Sequence, residues 1–253
     1  MKSKSGLLKN LSNDKIYLML LCYVGFGILV FAARYHSFSS FDMMLYTISD
    51  PLFLLLFFFP TIIALSFHFY HQVTQVNFLL RFLNRKEYFK FVICEWLKLG
   101  IFYFGFFGIL LLMANNLLCE RGMEISATIG KPNNLVILFF TSLKLLLFAL
   151  ATGLFSLLLF FRFQNKNKNI VLLGITGCII YSSSLIMTKS WWMNILLPIN
   201  YISGWKAFPK LQENAIVSLL FYGLTFGLCS LVLYRIIQSR DMVGDEDDRT
   251  VKA

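Results

Sequence analysis

Long apolar runs constrain this chain more than any other feature of its sequence. Each run is about 20 residues or more, which is enough for an α-helix to cross the hydrocarbon core of a bilayer. The runs lack the alternation of a transmembrane β-strand, so the sequence predicts an all-α, polytopic membrane protein. It forms one domain, 1–240, followed by a polar acidic tail, 241–253. The predicted spans are 16–33, 48–70, 91–118, 135–161, 170–187 and 215–237.

Composition and charge agree with this class of protein. Apolar residues make up 58% of the chain and charged residues 14%, whereas a soluble domain has about a quarter of its residues charged. The net charge of +10 would suggest a nucleic-acid partner in a soluble protein. Here the basic residues cluster at the ends of the apolar runs, which favours membrane lipids as partners and not nucleic acid. Most loop Lys and Arg residues lie on the side of both termini, so the positive-inside rule places both termini in the cytoplasm of a bacterial cell membrane.

A charged, amphipathic segment at 77–91 separates the second and third spans. It predicts either a helix lying on the cytoplasmic membrane surface or a solvated basic loop that only orients the spans. Two other stretches indicate surface structure. Residues 1–15 form a basic amphipathic pattern, and 188–214 carry tryptophans and prolines that predict short re-entrant helices on the outer side. On a helical wheel of 77–91 the apolar side holds Phe78, Leu79, Phe82 and Leu83, and the polar side holds Arg81, Asn84, Arg85 and Tyr88.

Charged residues inside spans are candidates for function. Glu95 and Lys98 are one helical turn apart, so we expect an intramembrane pair with the lysine reaching toward the headgroups. Lys144 has two interpretations. It anchors the fourth span at the outer interface, or it faces a polar path and contacts cargo.

Small residues predict close helix contacts, within the chain or between subunits. Gly25 and Gly27 do so in the first span. The other helix-packing candidates are Gly174, Gly177, Gly223 and Gly227.

Catalytic motifs are missing from the sequence. It has no P-loop, no nucleophile with an adjacent base, and no cluster of metal ligands, so we expect neither an enzyme nor a metal site. His68 and His71 are spaced for one helix face, but without a further ligand nearby they indicate interfacial polar residues.

The order of elements resembles the permease subunit of an ABC-2 type transporter, such as Gram-positive exporters of bacteriocins, lantibiotics or phenol-soluble modulins. A basic surface helix precedes the first span, a charged segment follows the second, and an aromatic, proline-broken outer segment, LLPINYISGW, precedes the sixth. The resemblance implies export of an amphipathic or hydrophobic peptide or toxin-like substrate. It also implies a second permease subunit, identical or paralogous, and a separate ATPase subunit that binds ATP and Mg²⁺.

In that family the segment after the second span is the coupling helix, which docks on the ATPase. The resemblance thus implies a docking role for seven residues of 77–91. An alternative is an ATP-independent membrane protein, either a secondary carrier or an immunity or assembly factor. The docking residues are Arg81, Phe82, Leu83, Arg85, Lys86, Glu87 and Tyr88.

Overall fold

The computed structural model of the chain describes residues 15–38, 40–75, 79, 82, 84–119, 134–163, 173–174 and 211–239. Within these ranges the chain is helical and has no strand. Helix α1 packs on α4, α3 packs on α5, and α5 packs on α6. The helices are α1 (Lys15–Arg34), α2 (Ser40–Ser49), α3 (residues 51–73), α4 (Arg85–Leu118), α5 (Asn134–Arg162) and α6 (Leu211–Ser239).

Among the described residues, five helices are long and apolar enough to cross a membrane, which confirms the prediction of an all-α membrane protein. The predicted fifth span, 170–187, lies outside the described residues except for 173–174. So do 1–14 of the surface helix, 188–210 of the outer segment and the tail from 240 onward. The five apolar segments are Lys15–Arg34, Leu54–Val73, Arg85–Leu118, Thr141–Arg162 and Leu219–Ser239.

Two helices begin at residues that differ from the starts of the predicted spans, and a helix-capping side chain explains each difference. The second span does not run on from residue 48, because the chain breaks at Asp50 between α2 and α3. The Asp50 carboxylate caps α3: its Oδ1 accepts the backbone N–H of Leu52 at 2.8 Å. Helix α4 begins at Arg85, six residues before the predicted third span, because Asn84 caps it.

A π-helical turn precedes Pro60, where the sequence indicates a kink. Helix α3 consists of Pro51–Phe53, the π-helical Leu54–Phe58 and Phe59–Val73. Pro60 has no N–H to donate to the Leu56 carbonyl four residues earlier. The Tyr23 hydroxyl of α1 donates to that carbonyl at 2.6 Å instead. A side chain from a neighbouring span therefore satisfies the carbonyl that proline leaves free.

Trp96 of α4 lies at the centre of the contact between α4, α5 and α3. Its side chain is 1% exposed, and its Nε1 donates to the Leu150 carbonyl of α5 at 3.3 Å. The Phe69 ring of α3 lies 5.7 Å from the indole, centroid to centroid. On α5, Gly153 leaves the space that the indole fills, since a Cβ there would lie 2.0 Å from Trp96 Cζ2. These contacts fix the position of α4 relative to α5 along the helix axes.

Candidate functional site at the start of the third span

The 77–91 segment does not form one separate surface helix, because a capping motif starts α4 inside it. The Asn84 side chain accepts the backbone N–H of Glu87 at 2.8 Å, as the first half of a capping box. Arg85, Lys86, Glu87 and Tyr88 therefore occupy the first turns of the third membrane-spanning helix. Whatever moves these turns moves the span itself.

Tyr88 joins the start of α4 to the end of α3. Its side chain is 3% exposed, and its hydroxyl donates to the Val73 carbonyl at 3.2 Å. This satisfies a carbonyl that the end of a helix leaves without an intrahelical donor. The half-buried Phe82 ring packs 5.5 Å from Tyr88 and 5.1 Å from Phe91, centroid to centroid. Phe82 and Tyr88 thus hold the loop against the helices.

Arg85 joins α4 to the end of α6. Its guanidinium donates to the backbone carbonyl of Gln238, in the last turn of α6. A cation at a helix C-terminus also interacts favourably with the helix dipole. One turn further on, the rings of Phe89 and Tyr234 are 5.0 Å apart. The beginning of α4 and the end of α6 are therefore held together by a polar and an aromatic contact.

A third network connects α1 to the end of α3 on the same side. The Tyr17 hydroxyl donates to Gln72 Oε1 at 3.2 Å, and Gln72 Nε2 lies 3.1 Å from His68 Nε2. The Tyr17 and His68 rings are 4.9 Å apart in an edge-to-face arrangement. His71 packs on Phe67 at 4.5 Å. Among the described residues no group of three or more His, Cys, Asp or Glu could hold a metal ion.

The structure therefore divides the predicted docking residues. Lys86 and Glu87 are exposed, Arg85 is exposed but engaged with Gln238, and Tyr88 is buried. Arg81 and Leu83 lie outside the described residues. A docking role for this segment stays a prediction, for which the exposed Lys86 and Glu87 are the candidates in the described part of the chain.

The charged residues inside the spans lie in two places. Lys98 Nζ is 2.8 Å from Glu95 Oε1, so the two side chains pair as the spacing indicates. The Glu95 side chain is 4% exposed and that of Lys98 is 55% exposed, so the carboxylate is inside the bundle and the ammonium outside it. Lys144 of α5 is 4% exposed. Its side chain therefore lies among the helices, three residues from the outer end of the apolar segment Thr141–Arg162, and its contact with cargo stays a prediction.

The glycines divide differently from the sequence prediction. A Cβ at Gly27 would lie 2.4 Å from Phe57, and one at Gly100 would lie 2.4 Å from Leu150, so these glycines allow close helix contacts. Gly223 and Gly227 are exposed, and no atom lies within 4 Å of a Cβ built at either. No described residue packs closely on either glycine, so their role in helix packing, within the chain or between subunits, stays a prediction. Gly174 is likewise open, and Gly177 lies outside the described residues.

A polar cluster at the opposite end of the helices was not predicted. The Tyr35 hydroxyl donates to Asp50 Oδ2 at 2.5 Å, and Arg34 lies 3.6 Å from the same oxygen. Burial, followed by the hydrogen bond to Asp50, raises the pKa of Tyr35 to about 12. The Asp50-Pro51 pair was the available signal, because Asp caps helices and proline favours their first turn. The cluster joins α1 to the start of α3.

Comparisons with protein-family models, with curated proteins and with solved structures find no match for this chain. Its function must therefore be inferred from its own contacts, charges and exposed surfaces.

Proposed function

We propose that this chain is the permease subunit of an ABC-2 type exporter in a bacterial cell membrane. A separate ATPase subunit binds ATP and Mg²⁺ and acts on the exposed first turn of α4. One observation carries the proposal: side chains at the start of α4 contact the ends of two other membrane-spanning helices. Tyr88 contacts the end of α3, and Arg85 contacts the end of α6.

These contacts suit a segment that transmits movement. A force on Glu87 acts on the whole of α4, because Glu87 belongs to its first turn. Tyr88 and Arg85 pass the displacement to α3 and α6. From α3 the network of Tyr17 and Gln72 reaches α1. Four spans therefore respond to one exposed turn, as rocking of the bundle between inward-open and outward-open states requires.

The length of α4 supports a position for this turn outside the hydrocarbon core. Its 34 residues correspond to about 51 Å at the usual helical rise. The core of a bilayer is only about 30 Å thick, so a straight α4 extends well beyond it. Charged residues are concentrated at its beginning, from Arg85 to Lys90, which favours that end as the projecting one.

The described ends also support the proposed orientation and the count of six spans. Along α4, Trp96 faces Gly153 and Gly100 faces Leu150, so α5 runs antiparallel to α4. Likewise Arg85 contacts Gln238 and Phe89 contacts Tyr234, so α6 also runs antiparallel to α4. The end of α5 and the beginning of α6 are therefore on opposite faces. We therefore propose that the chain between them crosses the bilayer once, in the predicted span at 170–187. The face that we propose to be cytoplasmic carries Lys15, Arg85, Lys86, Lys90, Arg162 and Arg235.

Cargo would move along the interior of the bundle or between two permease subunits, identical or paralogous. The buried ammonium group of Lys144 is the side chain we propose to contact it. An amphipathic or hydrophobic peptide fits both a largely apolar bundle and an inward-facing cation.

Recovery of the ATPase tests the proposal. The tagged chain is co-expressed with a P-loop ATPase encoded by a neighbouring reading frame and purified in detergent. We expect Glu87→Lys to lower ATPase recovery at least about tenfold, because a like-charge contact in an interface costs more than 1.4 kcal/mol. Lys15→Glu is the control, since it reverses an exposed charge on the same face outside the segment. Undiminished recovery with Glu87→Lys would remove this turn as the docking element.

A further inference from the structure

A groove lies between the first turns of α4 and the second half of α6. Its volume is about 510 Å³. Two lysines and two aromatic rings line it beside the small and apolar residues of α6. The lining residues are Lys86, Phe89, Lys90, Gly227, Ser230, Leu231 and Tyr234.

The chemistry of the lining changes along the helix axis. Lys86 and Lys90 stand at the beginning of α4, where the helix leaves the apolar core. Gly227 lies seven residues before Tyr234, about 10 Å further into the membrane at the helical rise. The groove thus offers cations at one end and an apolar wall at the other. A phospholipid matches this order, because its anionic headgroup would meet the cations and its acyl chain would meet the apolar wall.

The polar groups of the groove are available at the cationic end and satisfied at the apolar end. In the described part of the chain neither lysine pairs with a carboxylate. The Ser230 hydroxyl already donates to the Phe226 carbonyl at 2.8 Å, so its hydrogen is satisfied without a ligand. Around Gly227 there is room, because no atom of the described residues lies within 4 Å of a Cβ built there. Leu231, one turn along, is 64% exposed.

From this arrangement we propose that the groove binds an anionic phospholipid, with the phosphate on Lys86 and Lys90 and an acyl chain along Gly227 and Leu231. The exposed face of α6 continues from the groove toward the membrane centre through Leu228 and Leu224. That continuity favours a lipid over an acidic peptide from the aqueous side, because a peptide would leave those leucines uncovered. The inference is independent of the exporter proposal. It assigns Lys86 to lipid, while Glu87, about 100° around the helix, stays available to the ATPase.

Native mass spectrometry of the full chain in detergent tests the proposal, with phosphatidylglycerol and phosphatidylcholine of identical acyl chains as probes. We expect phosphatidylglycerol to bind more tightly. Lys86→Gln with Lys90→Gln should weaken that binding by roughly twenty-fivefold, at about fivefold for each lysine near an anionic headgroup. Gly227→Leu should weaken the binding of both lipids, because the new side chain occupies the space of the acyl chain.

Matched variants keep the test specific. Gly223→Leu adds the same side chain to the same exposed face one turn outside the groove, and Lys15→Gln removes an exposed cation elsewhere. Both should bind like the unmodified chain. Equal binding of the two lipids would overturn the proposal, as would displacement of phosphatidylglycerol by an equal concentration of glycerophosphate. A Gly227→Leu variant that loses a dimer but keeps its lipid would show that the groove is an interface between copies.

Discussion

Gly153→Ala should destabilise the folded chain by about 3 kcal/mol, the upper end of the usual cost of overpacking a core. A methyl group at Gly153 would lie 2.0 Å from Trp96 Cζ2 and 2.6 Å from Cη2. The indole cannot move aside easily, because it is 1% exposed and donates to the Leu150 carbonyl. Lipid replaces water around the bundle, but steric overlap between α4 and α5 does not depend on the solvent. The measurement is the thermal unfolding midpoint of the purified chain in detergent.

Gly105→Ala on α4 provides the matched control. Gly105 is exposed and has no atom within 4 Å of a Cβ. Alanine is favoured over glycine in a helix by about 1 kcal/mol, so this substitution should leave stability equal or higher. Trp96→Phe should partly restore the Gly153→Ala variant, because phenylalanine lacks the outer ring atoms that the methyl group meets. Equal midpoints for the two alanine variants would contradict the register that we describe between α4 and α5.

Lys98→Met should destabilise the chain by about 3 kcal/mol, and adding Glu95→Gln should restore most of that loss. Lys98 is the only ion-pair partner of Glu95 among the described residues, and its Nζ lies 2.8 Å from Glu95 Oε1. Removing the lysine leaves a buried carboxylate without its counter-charge, and breaking a buried pair from one side costs far more than removing both charges. Thermal unfolding of the single and double variants gives the comparison.

The order of effects decides between two roles for the pair. If Lys98 only anchors α4 at the headgroups, Lys98→Met and the double variant should be equally stable, and Glu95→Gln alone should have no effect. That outcome would contradict an energetic pair. Lys15→Met is the control, since it removes an exposed lysine at the start of α1 that has no carboxylate partner in the described part of the chain.

The fold could be predicted from the sequence wherever one physical demand dominates. The lengths of the apolar runs alone locate α1 and α4–α6, because a helix needs about 20 apolar residues to cross the hydrocarbon core. The helix starts that differ from the predicted spans lie where a local capping motif overrides hydropathy. Asp50 before Pro51 and Asn84 with Glu87 are capping signals readable in the sequence, and they place the starts of α3 and α4 where hydropathy does not.

The contacts of the site could be predicted less well. The pairing of Glu95 with Lys98 follows from their spacing on one helix. The contact of Gly153 with Trp96 joins residues far apart in the chain, and it depends on the register of two helices that hydropathy does not specify. The same applies to Arg85 with Gln238, which makes an apparently free docking charge part of a helix cap. A glycine pair in a span predicts a close contact only once a facing helix is known, so Gly223 and Gly227 could not be interpreted beforehand.

The central claim is that the first turn of α4 faces the cytoplasm and receives an ATPase. Its most direct test is modification of a single cysteine at Glu87, in a variant whose five native cysteines are replaced, with a membrane-impermeant thiol reagent. We predict no labelling in intact cells, labelling in inside-out vesicles, and protection when the purified ATPase is added to those vesicles. His36→Cys, in the turn after α1, should show the opposite sidedness and no protection. Labelling of the Glu87 position in intact cells, or full labelling in the presence of bound ATPase, would contradict the claim.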